Sequence, residues 1–273
     1  MSNDKFHMGH QARKRFGQNF LHDPNVIRNI VKSIRPKVGD RIVEIGPGMG
    51  AITEELLDAT EGELDVVELD RDLIPGLKVK FFNHKGFRIH ESDALKFDFA
   101  TLKQAPEEQL RIVGNLPYNI STPLIFHLLS YSGLVKDMHF MLQKEVVQRL
   151  AAGPGDNNYG RLSIMAQYYC QVQHMFDVGP GAFKPAPKVD SAIVRMVPHQ
   201  DLPYPVKDHK TFERIVRESF AMRRKTLRNN LKKTISSEEL EKLGIDPALR
   251  PERLGLPEYT RIADYIYERA DNG

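Results

Sequence analysis

The sequence predicts an α/β fold in which helices cover both faces of a mostly parallel sheet and a small all-helical domain follows. Short apolar runs alternate with helical segments between residues 41 and 178, as parallel βαβ units require. The last apolar runs lack a segment long enough for a crossover helix, so we expect an antiparallel strand at one edge. Residues 208–273 follow a helical pattern.

The strands are predicted from continuous or alternating apolar runs. In chain order they read RIVEIG, LDVVELD, FRIHE, LRIVGN, DMHFMLQ, VQHMFDV and AIVRMV. The helices between them read AITEELLDA, RDLIPGLKVKF, STPLIFHLLSY, KEVVQRLAA and RLSIMAQYY. We expect the second of these helices to be interrupted at Pro75-Gly76.

The C-terminal helices are predicted from an apolar stripe at helical spacing. The stripe consists of Phe212, Val216, Phe220, Leu227 and Leu231. We place a domain boundary near residue 205. Residues 1–205 then form one domain, which begins with a basic segment, residues 1–40, and residues 206–273 form a small helical domain.

Composition excludes some classes of protein. The chain has 273 residues, of which 41% are hydrophobic and 27% charged, and no apolar run approaches the ~20 residues of a membrane span. Its single cysteine, Cys170, lies in an apolar run, which indicates a small core residue in a reducing compartment. The ten histidines are scattered. We therefore expect a cytoplasmic protein with no membrane partner and no metal site.

The net charge of +3 is unevenly distributed. Residues 1–40 carry a net charge of +5 and residues 206–235 a net charge of +7, around a more acidic remainder. Two basic segments favour a polyanionic partner such as a nucleic acid, although solvated helix faces would give the same pattern.

A glycine turn, "GPGMG", joins the first strand to its helix and indicates a nucleotide site. Gly46, Gly48 and Ala51 satisfy the dinucleotide pattern, whereas Gly46, Gly48 and Gly50 give the G-x-G-x-G spacing of S-adenosylmethionine sites. Glu68 and Asp70 end the next strand, where a carboxylate accepts from both ribose hydroxyls. These residues leave the choice between the two cofactors open.

"SDAL" follows the third strand and suits an adenine ring. The Asp93 carboxylate can accept from the adenine amino group while the backbone N–H of Ala94 donates to the ring. A helix cap for the residues that follow is the alternative role of Asp93. With the glycine turn and Glu68, the pattern favours an adenosine-containing cofactor.

"NLPY" follows the fourth strand and suits an exocyclic amine. The Asn115 side-chain oxygen and the Leu116 carbonyl can accept both N–H groups, aim the nitrogen lone pair at an electrophilic methyl group and stabilise the developing positive charge. Pro117 fixes the turn, and Tyr118 offers a face on which a base can stack. Ser121 is predicted to cap the next helix.

Seven segments together resemble the bacterial small-subunit ribosomal RNA adenine N6,N6-dimethyltransferase family. They read ARKRFGQNFL, VEIGPGMG, VVELD, SDAL, GNLPYNIST, FMLQKEVVQRL and FKPAPKVDSAIV. The resemblance implies a Rossmann-like methyltransferase sheet and S-adenosylmethionine as cofactor. It also implies dimethylation of two adjacent adenosines in a hairpin loop near the 3′ end of the RNA, on the assembling small subunit.

The resemblance also implies roles for individual residues. Asn19 and Leu21 would cover the methionine end of the cofactor, and Asn115 would touch both cofactor and target amine. Phe183 would stack on the target base opposite Tyr118. Related DNA enzymes carry proline where this chain has Leu116, and we hypothesise that Leu116 leaves room for a nitrogen that already carries one methyl.

The basic segments supply candidate phosphate contacts. One set lies in the basic lid segment, residues 1–40, with which the catalytic domain of residues 1–205 would begin. The other set follows "SFAM" on a predicted helix of the RNA-binding domain, residues 206–273, where Arg224, Arg228 and Lys232 would form one ridge. The candidates are Arg13, Lys14, Arg15, Arg223, Arg224, Lys225, Arg228 and Lys232.

Three other functions remain open on the residues alone. The glycine turn by itself permits an NAD(P)-dependent oxidoreductase, which would need a small-molecule pocket and no basic helical domain. A binding protein without catalysis would share the fold, and a DNA adenine methyltransferase would leave a monomethyl product. We expect the protein to be a monomer.

Overall fold

The computed structural model describes residues 6–7, 10–11 and 18–271. The chain divides into two compact units, Met1–Val147 with Val172–Pro198, and Gln148–Gln171 with His199–Gly273. The second unit thus takes in a segment of about two dozen residues from before the predicted boundary near residue 205. The assignment of a catalytic domain and an RNA-binding domain concerns function and stays a prediction.

The first unit is built on a seven-stranded sheet. Its strands are β4 (Arg41–Ile45), β5 (Leu64–Glu68), β6 (Phe87–Glu91), β7 (Leu110–Asn115), β8 (Val135–Gln143), β9 (Cys170–Val178) and β11 (Ser191–Pro198). They lie in the order β6-β5-β4-β7-β8-β11-β9. Two small antiparallel pairs join β1 (Phe6–His7) to β2 (His10–Gln11) and β3 (Phe20–Leu21) to β10 (Phe183–Lys184). The helices are α1 (Pro24–Ile34), α2 (Ala51–Ala59), α3 (Ile74–Lys80), α4 (Ser121–Leu129) and α5 (Lys144–Ala151).

The strand directions confirm the predicted fold class. β4 pairs in parallel with both β5 and β7, and parallel pairing continues from β5 to β6 and from β7 to β8. β11 pairs with β8 in antiparallel orientation. After β6 the chain crosses to the other side of β4, so the strand order reverses between β4 and β7. Ligands of open α/β sheets bind at such a reversal, beyond the carboxyl ends of the strands.

Two local predictions in the first unit are wrong. Helix α3 runs without interruption, because Pro75 lies in its first turn, where a missing N–H removes no helical hydrogen bond. Ser121 is the first residue of α4 and does not cap it: the capping position is Ile120, and the Ser121 hydroxyl donates to the Tyr118 carbonyl at 3.2 Å.

The second unit is helical. Its helices are α6 (Arg161–Tyr169), α7 (His209–Ser219), α8 (Leu227–Asn230), α9 (Ser237–Lys242) and α10 (Leu256–Asp271). Phe212, Val216, Leu227 and Leu231 of the predicted stripe are buried. Within the described part of the chain, no helix is long and apolar enough to span a membrane.

The predicted helix after "SFAM", with Arg224, Arg228 and Lys232 on one ridge, is wrong. Residues 220–226 form a turn, and α8 has only four residues before the chain turns again at 231–234. Arg224, Arg228 and Lys232 therefore do not share one helical ridge. Thr226 has an extended backbone, with ψ at 164°, and this breaks the helical path.

A buried guanidinium ties three elements of the first unit together. Arg111 on β7 makes two hydrogen bonds to the Asp137 carboxylate of β8, at 2.9 and 3.0 Å, and one to Asp40 at 2.7 Å. It also donates to the carbonyls of Ile34 and Arg35 at the end of α1. Those carbonyls have no partner within the helix, so Arg111 both completes α1 and fixes it against the sheet.

We expect Arg111→Met to lower the free energy of unfolding by about 3–5 kcal/mol, because two carboxylates and two carbonyls lose their shared donor. Urea denaturation checks this. Arg71→Met is the control, since the Arg71–Glu91 ion pair is exposed to solvent and exposed pairs contribute little. Equal destabilisation by the two substitutions would contradict the role assigned to Arg111.

Candidate active site

A cavity opens at the carboxyl ends of β4, β5 and β7, where the strand order reverses. Its volume is about 1110 Å³, counting the part open to solvent. Its walls are formed by five segments, which begin at Gln18, Glu44, Val67, Ser92 and Asn115, and by Leu73. All of them belong to the first unit, and the space suits a ligand of nucleoside size or larger.

The glycine turn after β4 has a left-handed backbone at all three glycines. Gly46, Gly48 and Gly50 have φ of +65°, +60° and +82°, whereas Ala51 opens the right-handed helix α2. A Cβ on Gly50 would come within 2.7 Å of the Phe81 ring. The third position that requires glycine is thus Gly50, which favours the G-x-G-x-G pattern left open above. Gly46 and Gly48 line the cavity, and Gly50 supports the turn from behind.

Glu68 ends β5 with its carboxylate on the cavity wall. One oxygen accepts from the backbone N–H of Asp70 at 2.9 Å, and the other accepts from Gly48 at 3.3 Å. Burial raises the pKa of Glu68 to about 7 despite these two donors. The carboxylate is therefore fixed in place and close to its titration point at neutral pH.

Asp70, the alternative acid at the end of β5, takes a different position. It is 1% exposed and accepts from the Gln18 side-chain amide at 2.6 Å. It does not line the cavity. Asp70 instead ties the segment that carries Asn19 and Leu21 to the strand end, which leaves Glu68 as the acid on the wall.

Sequence reasoning missed a second wall carboxylate, Glu44, the next-to-last residue of β4. It is 2% exposed and accepts from the Thr53 hydroxyl at 2.6 Å. Burial raises its pKa to about 7, and the charge of Glu68 adds to the shift. A charged residue inside the otherwise apolar run "IVEI" was the available signal.

Asp93 and Ala94 line the cavity after β6. One carboxylate oxygen of Asp93 accepts from the backbone N–H of Leu95 at 3.0 Å, and the Asp93 carbonyl accepts from Lys96 at 2.9 Å. These bonds close a tight turn, and no helix follows directly. The alternative role of Asp93 as a helix cap is thereby removed.

Asn115 closes the cavity from β7. Its side-chain N–H₂ donates to the Asn19 carbonyl at 3.2 Å, which joins the fourth strand end to the segment before β3. A Cβ on Gly46 would lie 3.5 Å from the Asn115 carbonyl. The loop after β7 and the glycine turn after β4 thus approach each other closely, and Asn19 is bonded to the Asn115 side chain.

Two hydrogen bonds hold the rest of the "NLPY" loop in place. The Leu116 N–H donates to the Met141 carbonyl at 3.1 Å, and its side chain is 1% exposed. The Tyr118 hydroxyl shares a hydrogen bond with the Ser191 hydroxyl. Burial raises the pKa of Tyr118, so the phenol stays protonated at neutral pH. Leu116, Pro117 and Tyr118 all line the cavity.

The structure does not bring Phe183 to the cavity, where the resemblance would place it opposite Tyr118. Its ring is 2% exposed and belongs to the apolar core. The cause is the pairing of β10 with β3, which sets Phe183 beside Leu21. Phe20, which sequence reasoning passed over, lies against the glycine turn instead: a Cβ on Gly48 would approach its ring to 3.2 Å.

The candidate RNA contacts fall into two groups. Arg13, Lys14 and Arg15 lie outside the described residues. The others are exposed in the second unit, and three of them, Arg223, Arg224 and Lys225, are consecutive in the turn before α8. Arg228 lies on α8 and Lys232 in the turn that follows it.

Cys170 is 1% exposed, and burial raises the pKa of its thiol to about 12, so it has no thiolate character at neutral pH. Among the residues that the structure describes, no three His, Cys, Asp or Glu side chains come together as ligands for a metal ion.

Comparisons with known proteins agree on one family. The family model described as ribosomal RNA adenine dimethylase matches residues 9–268. The chain is 69% identical over 265 residues to ribosomal RNA small subunit methyltransferase A of Marinobacter nauticus, covering 97% of this chain and 94% of that one. Its counterpart in Hahella chejuensis is 64% identical over 261 residues, covering 96% and 95%.

Solved structures show the same fold. A dimethyladenosine transferase from Plasmodium falciparum has a TM-score of 0.78 at 26% identity, covering 92% of this chain and 98% of that one. The 23S rRNA methyltransferase ErmE has a TM-score of 0.70 at 22% identity, covering 91% and 100%, and bears on the fold alone. The family model and the two relatives above establish that the chain belongs to the ribosomal RNA adenine dimethylase family.

Proposed function

We propose that this protein transfers methyl groups from S-adenosylmethionine to N6 of two adjacent adenosines near the 3′ end of small-subunit ribosomal RNA, in a hairpin loop of the assembling subunit. The observation that carries the proposal is the convergence of the glycine turn, Glu68, Asp93 and the "NLPY" loop on one cavity. Family membership supports an adenine in ribosomal RNA as the substrate and S-adenosylmethionine as the cofactor.

The cavity walls fit that cofactor. Gly46 and Gly48 leave an opening that side chains would fill, beside the N-terminus of α2. Glu68 would accept from the ribose hydroxyls, and Asp93 with the Ala94 N–H would hold the adenine. Asn19 and Leu21 would cover the methionine end. When bound, the cofactor supplies an electrophilic methyl group.

Asn115 and Leu116 would prepare the target amine. The bond from the Asn115 N–H₂ group to the Asn19 carbonyl orients the amide, so its oxygen is the end available to accept from N6. The Leu116 carbonyl would accept the second N–H. Two acceptors draw the nitrogen toward tetrahedral geometry and stabilise the positive charge that develops on it.

Proton removal needs no strong base in this scheme, because a nitrogen that has gained a methyl group becomes acidic. Tyr118 stays protonated, since burial raises its pKa, and it would act as a stacking surface held through Ser191. Leu116 would leave room for a nitrogen that already carries one methyl, so that a second transfer can follow.

The basic residues of the second unit would bind RNA phosphates. Extrusion of the target base costs less free energy from a loop than from a duplex. We propose a monomeric protein of the cytoplasm, where small subunits assemble in bacteria.

We expect Asn115→Ala to lower kcat for RNA methylation by about 10²–10³-fold, the loss typical of one donor or acceptor directed at developing charge. Affinity for S-adenosylmethionine, measured by calorimetry, should change only a few-fold. Asn29→Ala, at an exposed position of α1, is the matched control and should retain full activity. Near wild-type methylation by Asn115→Ala would refute the role assigned to this side chain.

We expect cofactor affinity to rise with pH between 6 and 8. Ribose hydroxyls favour an ionised acceptor, and Glu68 has a pKa of about 7 before binding. Binding should therefore release a proton below pH 7, and affinity should fall by up to about tenfold per pH unit there.

Calorimetry in two buffers of different ionisation enthalpy measures the released proton directly. Glu68→Gln should weaken binding and remove most of the pH dependence. Glu44→Gln is the control: it retains a partner for Thr53, and the pH dependence that arises from Glu68 should persist. A pH dependence that survives Glu68→Gln unchanged would show that another group titrates.

A further inference from the structure

The turn between α7 and α8 presents three consecutive cations to solvent. We call residues 221–226 the basic turn; it carries Arg223, Arg224 and Lys225, and Met222 beside them is 55% exposed. Within the described part of the chain, none of these cations forms a salt bridge. Arg223 donates to the Asn157 carbonyl.

One side chain, Asn230, is bonded to both ends of this turn. Its N–H₂ group lies within hydrogen-bond distance of the carbonyls of Ser219 at 2.8 Å, Met222 at 3.1 Å and Lys225 at 3.4 Å. Its oxygen accepts from the Met222 N–H at 3.2 Å. The amide therefore spans the chain from the last residue of α7 to the last cation of the turn.

The hydrogen bonds of the Asn230 side chain replace the backbone hydrogen bonds that a continuous helix would supply. The carbonyl of Ser219 has lost its helical partner where α7 ends, and a turn of exposed polar residues has few contacts of its own. One backbone hydrogen bond lies within the turn itself, from the Lys225 N–H to the Met222 carbonyl at 2.9 Å.

Asn230 is itself held on a fixed support. The N–H groups of Leu227 and Arg228 donate to the carbonyls of Leu249 and Pro247, at 2.8 and 3.1 Å. Leu227 and Leu231 on either side are fully buried. The position of Asn230 is thus set by the core of the second unit, and the turn takes its shape from that core.

The acidic side chain nearest in sequence is already engaged. Glu218 accepts from the Thr234 hydroxyl at 2.7 Å and lies 3.5 Å from Arg214. It therefore does not neutralise the basic turn. Three neighbouring cations without an acidic side chain beside them suit a polyanionic ligand. Because the turn is already fixed, binding does not have to supply the free energy of ordering these cations.

We propose that Asn230 is a positioning residue for RNA binding, which holds the basic turn in one conformation so that its cations meet successive phosphates. Phosphate contacts of this kind fix the register of a nucleic acid on a protein. The inference rests on the proposed function, because it takes RNA as the polyanion. Asn230 itself need not touch the RNA.

The test is a pair of neighbouring alanine substitutions assayed on small-subunit particles. Asn230→Ala should raise KM for the particles by about tenfold, as expected when three long side chains must be ordered on binding, and leave kcat within about twofold. Asn229→Ala is the matched control: the Asn229 side chain makes a 3.1 Å bond to the Thr226 hydroxyl and none to the backbone of the turn. Its KM should stay near that of the wild type.

Two further readouts separate positioning from a purely structural role. Arg224→Ala should raise KM severalfold in the wild-type background but much less in the Asn230→Ala background. Amide exchange at Met222 and Lys225 should be slow in the wild type and fast in Asn230→Ala, whereas cofactor affinity stays unchanged. If Asn230→Ala does not fold, fast exchange at both amides in the wild type would overturn the inference.

The inference is also overturned if Asn230→Ala and Asn229→Ala give the same KM, or if the effect of Arg224→Ala is equal in both backgrounds. The proposed function is refuted by a separate result, namely that the wild-type protein does not methylate ribosomal RNA. A wild-type enzyme that is active and an Asn230→Ala variant with unchanged KM would refute only the role of Asn230.

Discussion

The close approach of two strand ends, β4 and β7, is the constraint on which the site depends. Gly114 on β7 has no side chain, and a Cβ there would come within 2.4 Å of the Ile45 carbonyl. Without that approach the glycine turn and Asn115 would not face each other across one cavity. The reversal of strand order at this point then leaves the space between the two loops open for a ligand. Every candidate cofactor residue is placed relative to this junction.

The electrostatics of the cavity follow from its burial. Glu44 and Glu68 lie close to each other in a region of low solvent access, and burial raises the pKa of both to about 7. Both carboxylates bind protons more readily in the folded chain than in the unfolded one. Their contribution to stability is thus present below about pH 4.5 and is lost as pH rises through 7. A ligand whose hydroxyls donate to Glu68 offsets part of that loss of stability. Cofactor binding is thereby coupled to the protonation state of Glu68.

Much of the fold and site could be predicted because the governing features are local. The strands, the glycine turn and the acids at strand ends are marked by residue type and spacing, and parallel strands bring their carboxyl ends to one edge. The features that sequence did not predict depend on contacts between distant residues. Phe183 lies in the apolar core because β10 pairs with β3, and its role opposite the target base stays a prediction. The helix expected to carry Arg224, Arg228 and Lys232 is broken because Asn230 and the support beneath α8 hold a turn ahead of a short helix. Glu44 was overlooked because a single charge in a strand carries no spacing pattern.

In the proposed function, the "NLPY" cavity carries out two successive transfers to one adenine nitrogen. Mass spectrometry of ribonuclease fragments tests this most directly, after small-subunit RNA has been incubated with the protein and S-adenosylmethionine. We expect one fragment that carries N6,N6-dimethyladenosine at two adjacent positions. A product that stops at N6-methyladenosine, or RNA that gains no methyl groups, would contradict it.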